Sequence, residues 1–185
     1  MPLQPRADIP EIVTARLRLR AFEQRDLDAY ADIVADEAVT RYLGDGRPLS
    51  RADAWRQMAI FNGHWTLHGF GIWAAEHRAT GALLGRIGCF YPEGWPAFEI
   101  GYVLGRAHWG AGYATEGAAA ALAFARDECR PGRIISLIRP DNAGSIRVAE
   151  RLGGSHDGDV DFLGARSLVY RYATLDDEGD RITGR

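Results

Sequence analysis

The fold is decided by one stretch of sequence, RAHWGAGYATEG, residues 106–117. It places Gly110 and Gly112 around a single alanine and runs without a break into a helix-forming tract, AAAALAFAR. The free N–H groups of a first helical turn point outward, and the helix dipole adds about half a positive charge there. Glycines let a phosphate approach those groups without meeting a Cβ. With the strand-like PAFEIGYVL before it, the stretch is predicted to cradle a pyrophosphate on the amides from Ala107 to Ala114.

A plain tight turn is the alternative, in which the glycines only supply positive φ. Glu116 favours this alternative, because a carboxylate in the first turn satisfies the helix dipole by itself. NAD does not suit the cradle: its fingerprint needs a glycine where this chain has Thr115, and an acidic residue after the next strand, which ends in Arg139. All 22 basic residues are arginine, and the absence of lysine excludes a P-loop and a lysine Schiff base.

Composition is that of an ordinary globular chain. Its 185 residues are 46% hydrophobic and 25% charged, which predicts a single domain over 1–185. The last stretch, LDDEGDRITGR, is polar, and flexible ends are expected at 1–10 and 175–185. The net charge of −3 offers no general attraction to nucleic acid or to an anionic membrane. The start, MPLQPRADIPEIV, does not fit a signal peptide, and no apolar run is long enough for a membrane span. Cys89, Cys129 and the five histidines show neither disulfide nor metal spacing, so a reducing cytoplasm and no metal are expected.

The hydrophobic patterns predict a mixed α/β fold of about six to seven strands with about four helices on both faces. Strands are predicted at TARLRLRA (14–21), FGIWAAEH (70–77), ALLGRIGCF (82–90), PAFEIGYVL (96–104), RIISLIR (133–139) and ARSLVYRYA (165–173). Helices are predicted to begin at Asp26, at Ser50, after the glycine turn and at Asn142, with Gly153 closing the last one. The order, β α α β β β α β α β β, is an antiparallel meander followed by a βαβ unit.

Three segments in this order, FEIGYVL, HWGAGYATEG and IRPDNAGSIRVAERLGG, strongly resemble the GNAT superfamily of acyl-CoA N-acetyltransferases. The resemblance is closest to its RimJ/RimL-like branch, which modifies ribosomal-protein N-termini and other amines. With TARLRLR and the final strand, it covers nearly all of residues 11–173, which implies that the core of the domain lies at about 11–173. It implies a twisted, mostly antiparallel sheet whose fourth and fifth strands splay apart, with acetyl-CoA lying in the gap.

The resemblance also implies a role for particular residues. The glycine turn would bind the pyrophosphate, the backbone of β-strand residues 102–104 would pair with the pantetheine arm, and Asn142 would hydrogen-bond that arm. Ser145 would lie near the thioester sulfur. The implied cofactor-binding residues are Tyr102, Val103, Leu104, Arg106, Ala107, His108, Trp109, Gly110, Ala111, Gly112, Tyr113, Ala114, Asn142 and Ser145. Gly117, where the family often has alanine, is assigned to helix packing.

Two positions depart from the family pattern. Ala107 stands where the first phosphate-loop residue is usually glutamine or arginine, and Arg106 is one residue too early for that contact. Ala149 stands where many members carry a tyrosine acid, seven residues after the asparagine. Ser145 is therefore the residue expected to stabilise or protonate the departing thiolate, unless it only caps its helix together with Asn142.

Glu99 is the candidate general base. In FEIGYVL it shares a strand face with Gly101 and Val103, a few residues before the glycine turn. A carboxylate on that face could take the ammonium proton directly or through water, although a solvated or salt-bridged strand glutamate is the alternative. The oxyanion is expected to meet a backbone N–H near Val103. An α-amine, with a pKa of about 8, needs only a modest base of this kind, whereas a lysine amine needs a stronger one.

The acceptor side is predicted from the loop CFYPEGWPAF and from residues 42–49. Tyr91, Glu93 and Trp95 are the candidate substrate-binding residues, and residues 42–49 are expected to form the opposite wall. The leading prediction is an acetyltransferase for a protein N-terminus of ribosomal-protein type, acting as a monomer or homodimer. The alternatives are an acetyltransferase for a small amine (an antibiotic, polyamine or amino acid) and a non-catalytic acyl-CoA sensor. A peptide acceptor requires an open channel across the sheet, and a small amine requires a closed cavity.

Overall fold

The structure, a computed structural model, describes residues 8–175 and 177. The strands are β1 (Ile12–Val13), β2 (Leu17–Arg20), β3 (Ile72–His77), β4 (Leu83–Phe90), β5 (Phe98–Leu104), β6 (Ile134–Ile138), β7 (Ser155–Phe162) and β8 (Ala165–Tyr172). The α-helices are α1 (Leu27–Ala35), α2 (Glu37–Thr40), α3 (Arg51–His68), α4 (Tyr113–Phe124) and α5 (Ala143–Arg151). Across the described ranges, no helix combines the length and the apolar character needed to cross a membrane.

The eight strands form one sheet in the order β1-β2-β3-β4-β5-β6-β8-β7. All neighbours are antiparallel except β5 and β6, which run parallel and pair only at Phe98–Ile134 and Glu99–Ile135. Beyond that point the Ser136 hydroxyl donates to the Ile100 carbonyl at 2.6 Å. The two strands then separate, which confirms the predicted splay. The sheet exceeds the predicted six to seven strands because Ile12–Val13, just before the predicted first strand (14–21), forms a short strand of its own, and α2 adds a fifth helix.

Helices cover both faces of the sheet. On one face α4 packs on a cluster that includes Leu17, Trp73 and Ile100, and on the other α1 and α3 pack on Ile72 and Ala74. Because Phe98, Ile100 and Leu104 belong to the α4 face, strand alternation turns Glu99, Gly101 and Val103 to the α1–α3 face.

The predicted helix starts at Ser50 and Asn142 are confirmed. Ser50 Oγ accepts the Asp53 N–H at 3.1 Å, and Asn142 Oδ1 accepts the Ser145 N–H, also at 3.1 Å. Asp26 occupies the N-cap position of α1, but its carboxylate binds the buried Arg20 side chain.

The predicted flexible ends, 1–10 and 175–185, lie largely outside the described residues. The part that is described at the N-terminal end is anchored, because Ile9 packs against the core and the Pro10 carbonyl accepts the Trp73 indole N–H at 2.7 Å. Close packing also explains Gly117 on α4. A Cβ at that position would lie 2.3 Å from Cδ1 of Ile87, so the glycine brings α4 against the sheet.

Candidate active site

Two cavities meet where β5 and β6 separate. The turn cavity, of about 580 Å³, lies between the end of β5, the glycine turn, the start of α4 and one side of α5. The sheet cavity, of about 360 Å³, lies over the α1–α3 face of β4, β5 and β6, under residues 42–49 and the β7–β8 turn. The residues that line both cavities form a neck between them: Tyr42, Leu43, Tyr102, Val103, Asn142 and Ser145.

The glycine turn has the geometry of an anion cradle. Gly110 and Gly112 adopt φ of 75° and 83°, a left-handed conformation that other residues adopt only with strain. Gly112 is the N-cap of α4, so the free N–H groups of the first helical turn lie beside the turn cavity. A Cβ on Gly110 would meet no atom within 4 Å, which leaves the approach to these N–H groups open.

Arg16 contacts the glycine turn and the start of α4 without lining the turn cavity. Its guanidinium donates to the Ala111 carbonyl at 2.8 Å, pairs with Glu116 at 2.7 Å and lies 4.4 Å from the centre of the Tyr113 ring. Burial alone would raise the pKa of Glu116, but hydrogen bonds from Thr14 and Arg16 lower it below its ordinary value. The Glu116 carboxylate is therefore neutralised by Arg16 on the side away from the cavity, and it does not compete with a bound anion.

The backbone of β5 turns alternate polar groups towards the gap between β5 and β6. The Gly105 N–H donates to the Leu84 carbonyl on β4 at 2.8 Å, and the Ile100 and Leu104 carbonyls accept from Ser136 and Trp109 on the other side. In an antiparallel pair these directions alternate from residue to residue. The N–H of Tyr102 therefore points into the gap, and that of Val103 points towards β4.

Glu99 lies in the sheet cavity at the point where the strands separate. Its two carboxylate oxygens accept the Trp95 indole N–H at 2.6 Å and the Leu137 backbone N–H at 3.4 Å. Burial raises its pKa above the ordinary value, while these hydrogen bonds and the charge of Arg86 oppose the rise. A carboxylate with a raised pKa in a cavity is suited to accept a proton near neutral pH.

Ser145 lies at the neck, one turn into α5. Its N–H donates to Asn142, its carbonyl accepts the Tyr102 hydroxyl at 3.0 Å, and the residue lines both cavities. Because Asn142 Oδ1 is engaged by the cap, its side-chain NH₂ is the group left for a ligand in the turn cavity.

Comparison with known proteins decides the family. Residues 16–155 match the model of the acetyltransferase (GNAT) domain. The chain belongs to the GNAT family of acetyltransferases. YkkB of Bacillus subtilis is 36% identical to this GNAT chain over 149 residues, which are 77% of this chain and 84% of YkkB.

Solved structures share the fold. An acetyltransferase from Agrobacterium tumefaciens superposes with a TM-score of 0.80 at 32% identity, covering 90% of this chain and 96% of that one. RimL, an α-N-protein acetyltransferase solved in complex with coenzyme A, superposes with a TM-score of 0.72, covering 88% of this chain and 97% of its own. At 20% identity, this superposition shows that the two proteins share a fold.

The GNAT fold brings most of the implied cofactor-binding residues together around the turn cavity. The exceptions are Arg106, whose exposed side chain turns to Asp36 at 3.3 Å, and the alanines Ala107 and Ala111. Sequence reasoning missed three arginines that line this cavity: Arg41, Arg147 and Arg151. Arg147 and Arg151 were detectable, because their spacing of four places them on one face of α5.

The sheet cavity receives only part of the predicted acceptor site. Trp95 lines it and contacts Phe90 and Phe162, with ring centres 5.1 and 4.6 Å apart. Tyr91 and Glu93 lie outside its walls and are exposed, because the turn after β4 carries them away from the sheet.

Residues 42–49 contribute a wall, as predicted, and one arginine joins this wall to the opposite side. Arg139 donates to the Gly44 carbonyl at 3.0 Å and to the Ala165 carbonyl at 2.6 Å, and the Tyr42 hydroxyl donates to the Asp141 carbonyl at 3.0 Å. The 42–49 segment is therefore bridged to the β7–β8 turn and to the start of α5. Neither Arg139 nor Arg86, which also lines this cavity, was identified from the sequence as a site residue.

Proposed function

We propose that the chain transfers an acetyl group from acetyl-CoA to a primary amine, with both substrates bound at once. The observation that carries the proposal is the neck at the β5–β6 gap. It joins a cavity built for an anion to a cavity that contains a carboxylate of raised pKa. Bound acetyl-CoA would supply an acetyl thioester that the amine attacks directly. A cytoplasmic location and a monomer or homodimer remain predictions from the sequence.

The turn cavity fits the phosphates and the pantetheine arm of acetyl-CoA. The amides beside Gly110 and Gly112 would hold the pyrophosphate, and Arg41, Arg147 and Arg151 would add positive charge for the phosphates. The backbone of residues 102–104 and the Asn142 NH₂ would hold the pantetheine arm.

Glu99 would accept the proton of the attacking amine. Its carboxylate faces the sheet cavity, where the amine would arrive, and it can act directly or through one water. Its raised pKa makes it a better proton acceptor than an exposed glutamate while still leaving it ionised at sufficiently high pH. The hydrogen bonds from Trp95 and Leu137 keep it oriented.

We assign oxyanion stabilisation to the Tyr102 N–H rather than to the N–H of Val103, because only the former points into the gap. Ser145 would donate its hydroxyl proton towards the departing sulfur, since it lies at the neck and Ala149 stands where many family members carry a tyrosine acid. Tyr102 is less suited to that role: burial raises its pKa far above the ordinary value, and its hydroxyl is engaged by Ser145.

Arg139 forms a bridge over the sheet cavity by hydrogen-bonding the Gly44 and Ala165 carbonyls. This bridge favours a small acceptor over a protein N-terminus. A polypeptide crossing the sheet would have to pass between residues 42–49 and the β7–β8 turn, which Arg139 ties together. The cavity volume of about 360 Å³ suits a small molecule.

Thermal shift and thiol release test this proposal together. Acetyl-CoA at a hundred times its Kd should stabilise the fold by about 2.7 kcal/mol. A panel of amino acids, amines and peptides, each mixed with acetyl-CoA and the protein, should then include acceptors that release free coenzyme A thiol. Stabilisation without release on any acceptor would indicate the acyl-CoA sensor, and the absence of stabilisation at millimolar acetyl-CoA would contradict the proposal entirely.

A further inference from the structure

The sheet cavity contains an arginine whose charge acts on Glu99 but which forms no ion pair with any carboxylate of the described residues. Arg86 lies on β4 directly opposite Val103, on the sheet face that carries Glu99, and it lines the cavity. Its Nε is buried and has no hydrogen-bond partner, and over residues 8–175 and 177 no carboxylate forms an ion pair with it.

The side chains packed beside Arg86 are neutral. Its guanidinium carbon lies 5.0 Å from the centre of the Phe61 ring. Tyr30, whose pKa is raised by burial and lowered in part by the charge of Arg86, donates its hydroxyl to Gln57 Oε1 at 2.7 Å. An aromatic ring, a phenol and an amide can position a guanidinium, but they cannot neutralise it.

The other charged side chains of the cavity do not supply the negative charge that Arg86 lacks. Asp45 is paired with Arg47 at 2.9 Å, and Arg139 donates to neutral oxygens of the bridge. Glu99 is the remaining carboxylate among the cavity-lining residues, so two arginines without an ion pair, Arg86 and Arg139, face one half-buried acid. Arg86 is half-buried, and its guanidinium, whose Nε is buried, has no anion beside it. A partly desolvated charge without a partner is unfavourable, and a ligand that carries an anion would complete the site.

The space between Arg86 and Glu99 is open. The register places Phe90 opposite Glu99, Gly88 opposite Gly101, and Arg86 opposite Val103. The two charged residues are thus separated by two pleats of the sheet, roughly 13 Å between their Cα levels, and the long arginine side chain can shorten that gap. A Cβ on Gly101 would meet no atom within 4 Å, so a short molecule can lie over this glycine with one end at each charge.

We propose that the acceptor is a small amino carboxylate, such as a free amino acid, whose carboxylate binds Arg86 while its amine faces Glu99. This rests on the proposed acetyl transfer and adds the substrate class. The guanidinium offers parallel N–H donors to both carboxylate oxygens. The amine nitrogen bonds to the acetyl carbon, the C–S bond breaks, the amine loses its proton to Glu99 or to water, and the sulfur leaves as thiolate and is then protonated. A polyamine is disfavoured by the cationic excess, and a protein N-terminus has a peptide bond where the carboxylate would be.

The test compares each L-amino acid with its own amide as acceptor. The amide has the less basic amine, so a larger fraction of it is uncharged and able to attack at a given pH. A preference for the free acid therefore reports recognition of the carboxylate. We expect kcat/KM for the best free acid to exceed that for its amide by about ten-fold or more, because a hydrogen-bonded charge contributes about 1.5–3 kcal/mol. At a pH high enough to keep Glu99 ionised in both proteins, Arg86→Met should lower kcat/KM for the acid by about ten- to a hundred-fold, mainly through KM, and should affect the amide only a few-fold.

Two further variants keep the result interpretable. Arg86→Lys retains the charge and should recover part of the preference for the acid even if the methionine variant folds poorly. Arg56→Gln, an exposed α3 arginine paired with Asp53 and outside the cavity walls, should change neither rate. Equal rates for acids and amides in the wild type, or a peptide N-terminus as the best acceptor, would overturn the inference and leave acetyl transfer standing. No transfer to any acceptor would overturn the proposed function together with it.

Discussion

The two cavities that meet at the neck are built in different ways. The turn cavity is made largely from backbone: two glycines with positive φ, the first amides of α4 and the free edge of β5, all supplied by residues 102–115. The sheet cavity is made from side chains that arrive from separate parts of the chain, among them Trp95, Glu99 and Arg139. Backbone geometry is altered by adding a side chain, whereas a side-chain site is altered by removing one. The turn cavity should therefore be sensitive to added side chains, and the sheet cavity to removed ones.

The largest effect is expected at Glu99 in the sheet cavity. Glu99→Gln should lower kcat by about 10²–10⁴-fold and leave the Kd of acetyl-CoA nearly unchanged, because the base is lost and the turn cavity is untouched. In the wild type, kcat/KM should fall as the pH drops below the raised pKa of Glu99, since only the carboxylate accepts a proton. The variant should lack this acidic limb. If Glu99→Gln turns over as fast as the wild type between about pH 6 and 9, Glu99 is structural.

Trp95→Phe sharpens that test. It removes a hydrogen bond that lowers the pKa of Glu99 and keeps an aromatic ring beside Phe162, so the acidic limb should move to higher pH. A purely structural Glu99 would leave the position of the limb unchanged.

In the turn cavity, a single added methyl group should weaken the binding of acetyl-CoA. Gly110→Ala forces a left-handed residue that costs roughly 1–2 kcal/mol. It should weaken acetyl-CoA binding by about ten-fold in a calorimetric titration, with the acceptor KM nearly constant. Gly132→Ala is the matched control, because Gly132 lacks a positive φ and a Cβ there meets nothing within 4 Å. Equal losses in both variants would indicate general destabilisation.

A smaller effect is expected from opening the bridge over the sheet cavity. Arg139→Gln removes hydrogen bonds worth about 0.5–1.5 kcal/mol each and should raise the acceptor KM by about three- to ten-fold. The Kd of acetyl-CoA should change little. A lower KM for peptides in this variant would mean that the bridge excludes them, whereas an unchanged acceptor profile would contradict its role.

No effect is expected at Tyr91 and Glu93. Both were predicted from the sequence as acceptor-binding residues, and both lie outside the cavity walls. Tyr91→Phe and Glu93→Gln should leave kcat and the acceptor KM within about two-fold, as usual for exposed substitutions. A clear loss in either would extend the acceptor site beyond the sheet cavity.

The same contrast explains what the sequence could predict. The strand, the glycine turn, the helix start and the Asn142 cap follow from contiguous residues, so the structure confirms these elements where the sequence predicts them. The sheet cavity depends on contacts between distant residues, such as Arg139 with Gly44, which no local pattern contains. Arg86 left one signal, a lone charge in the apolar strand ALLGRIGCF, but only the register beside β5 shows which face it occupies.

The most direct measurement of the central claim is the initial-rate pattern of acetyl transfer when acetyl-CoA and the best acceptor are varied together. If both substrates meet at the neck, double-reciprocal lines should intersect, and the acetylated amine should form in proportion to released thiol. Parallel lines with an acetylated protein intermediate would contradict direct attack across the two cavities.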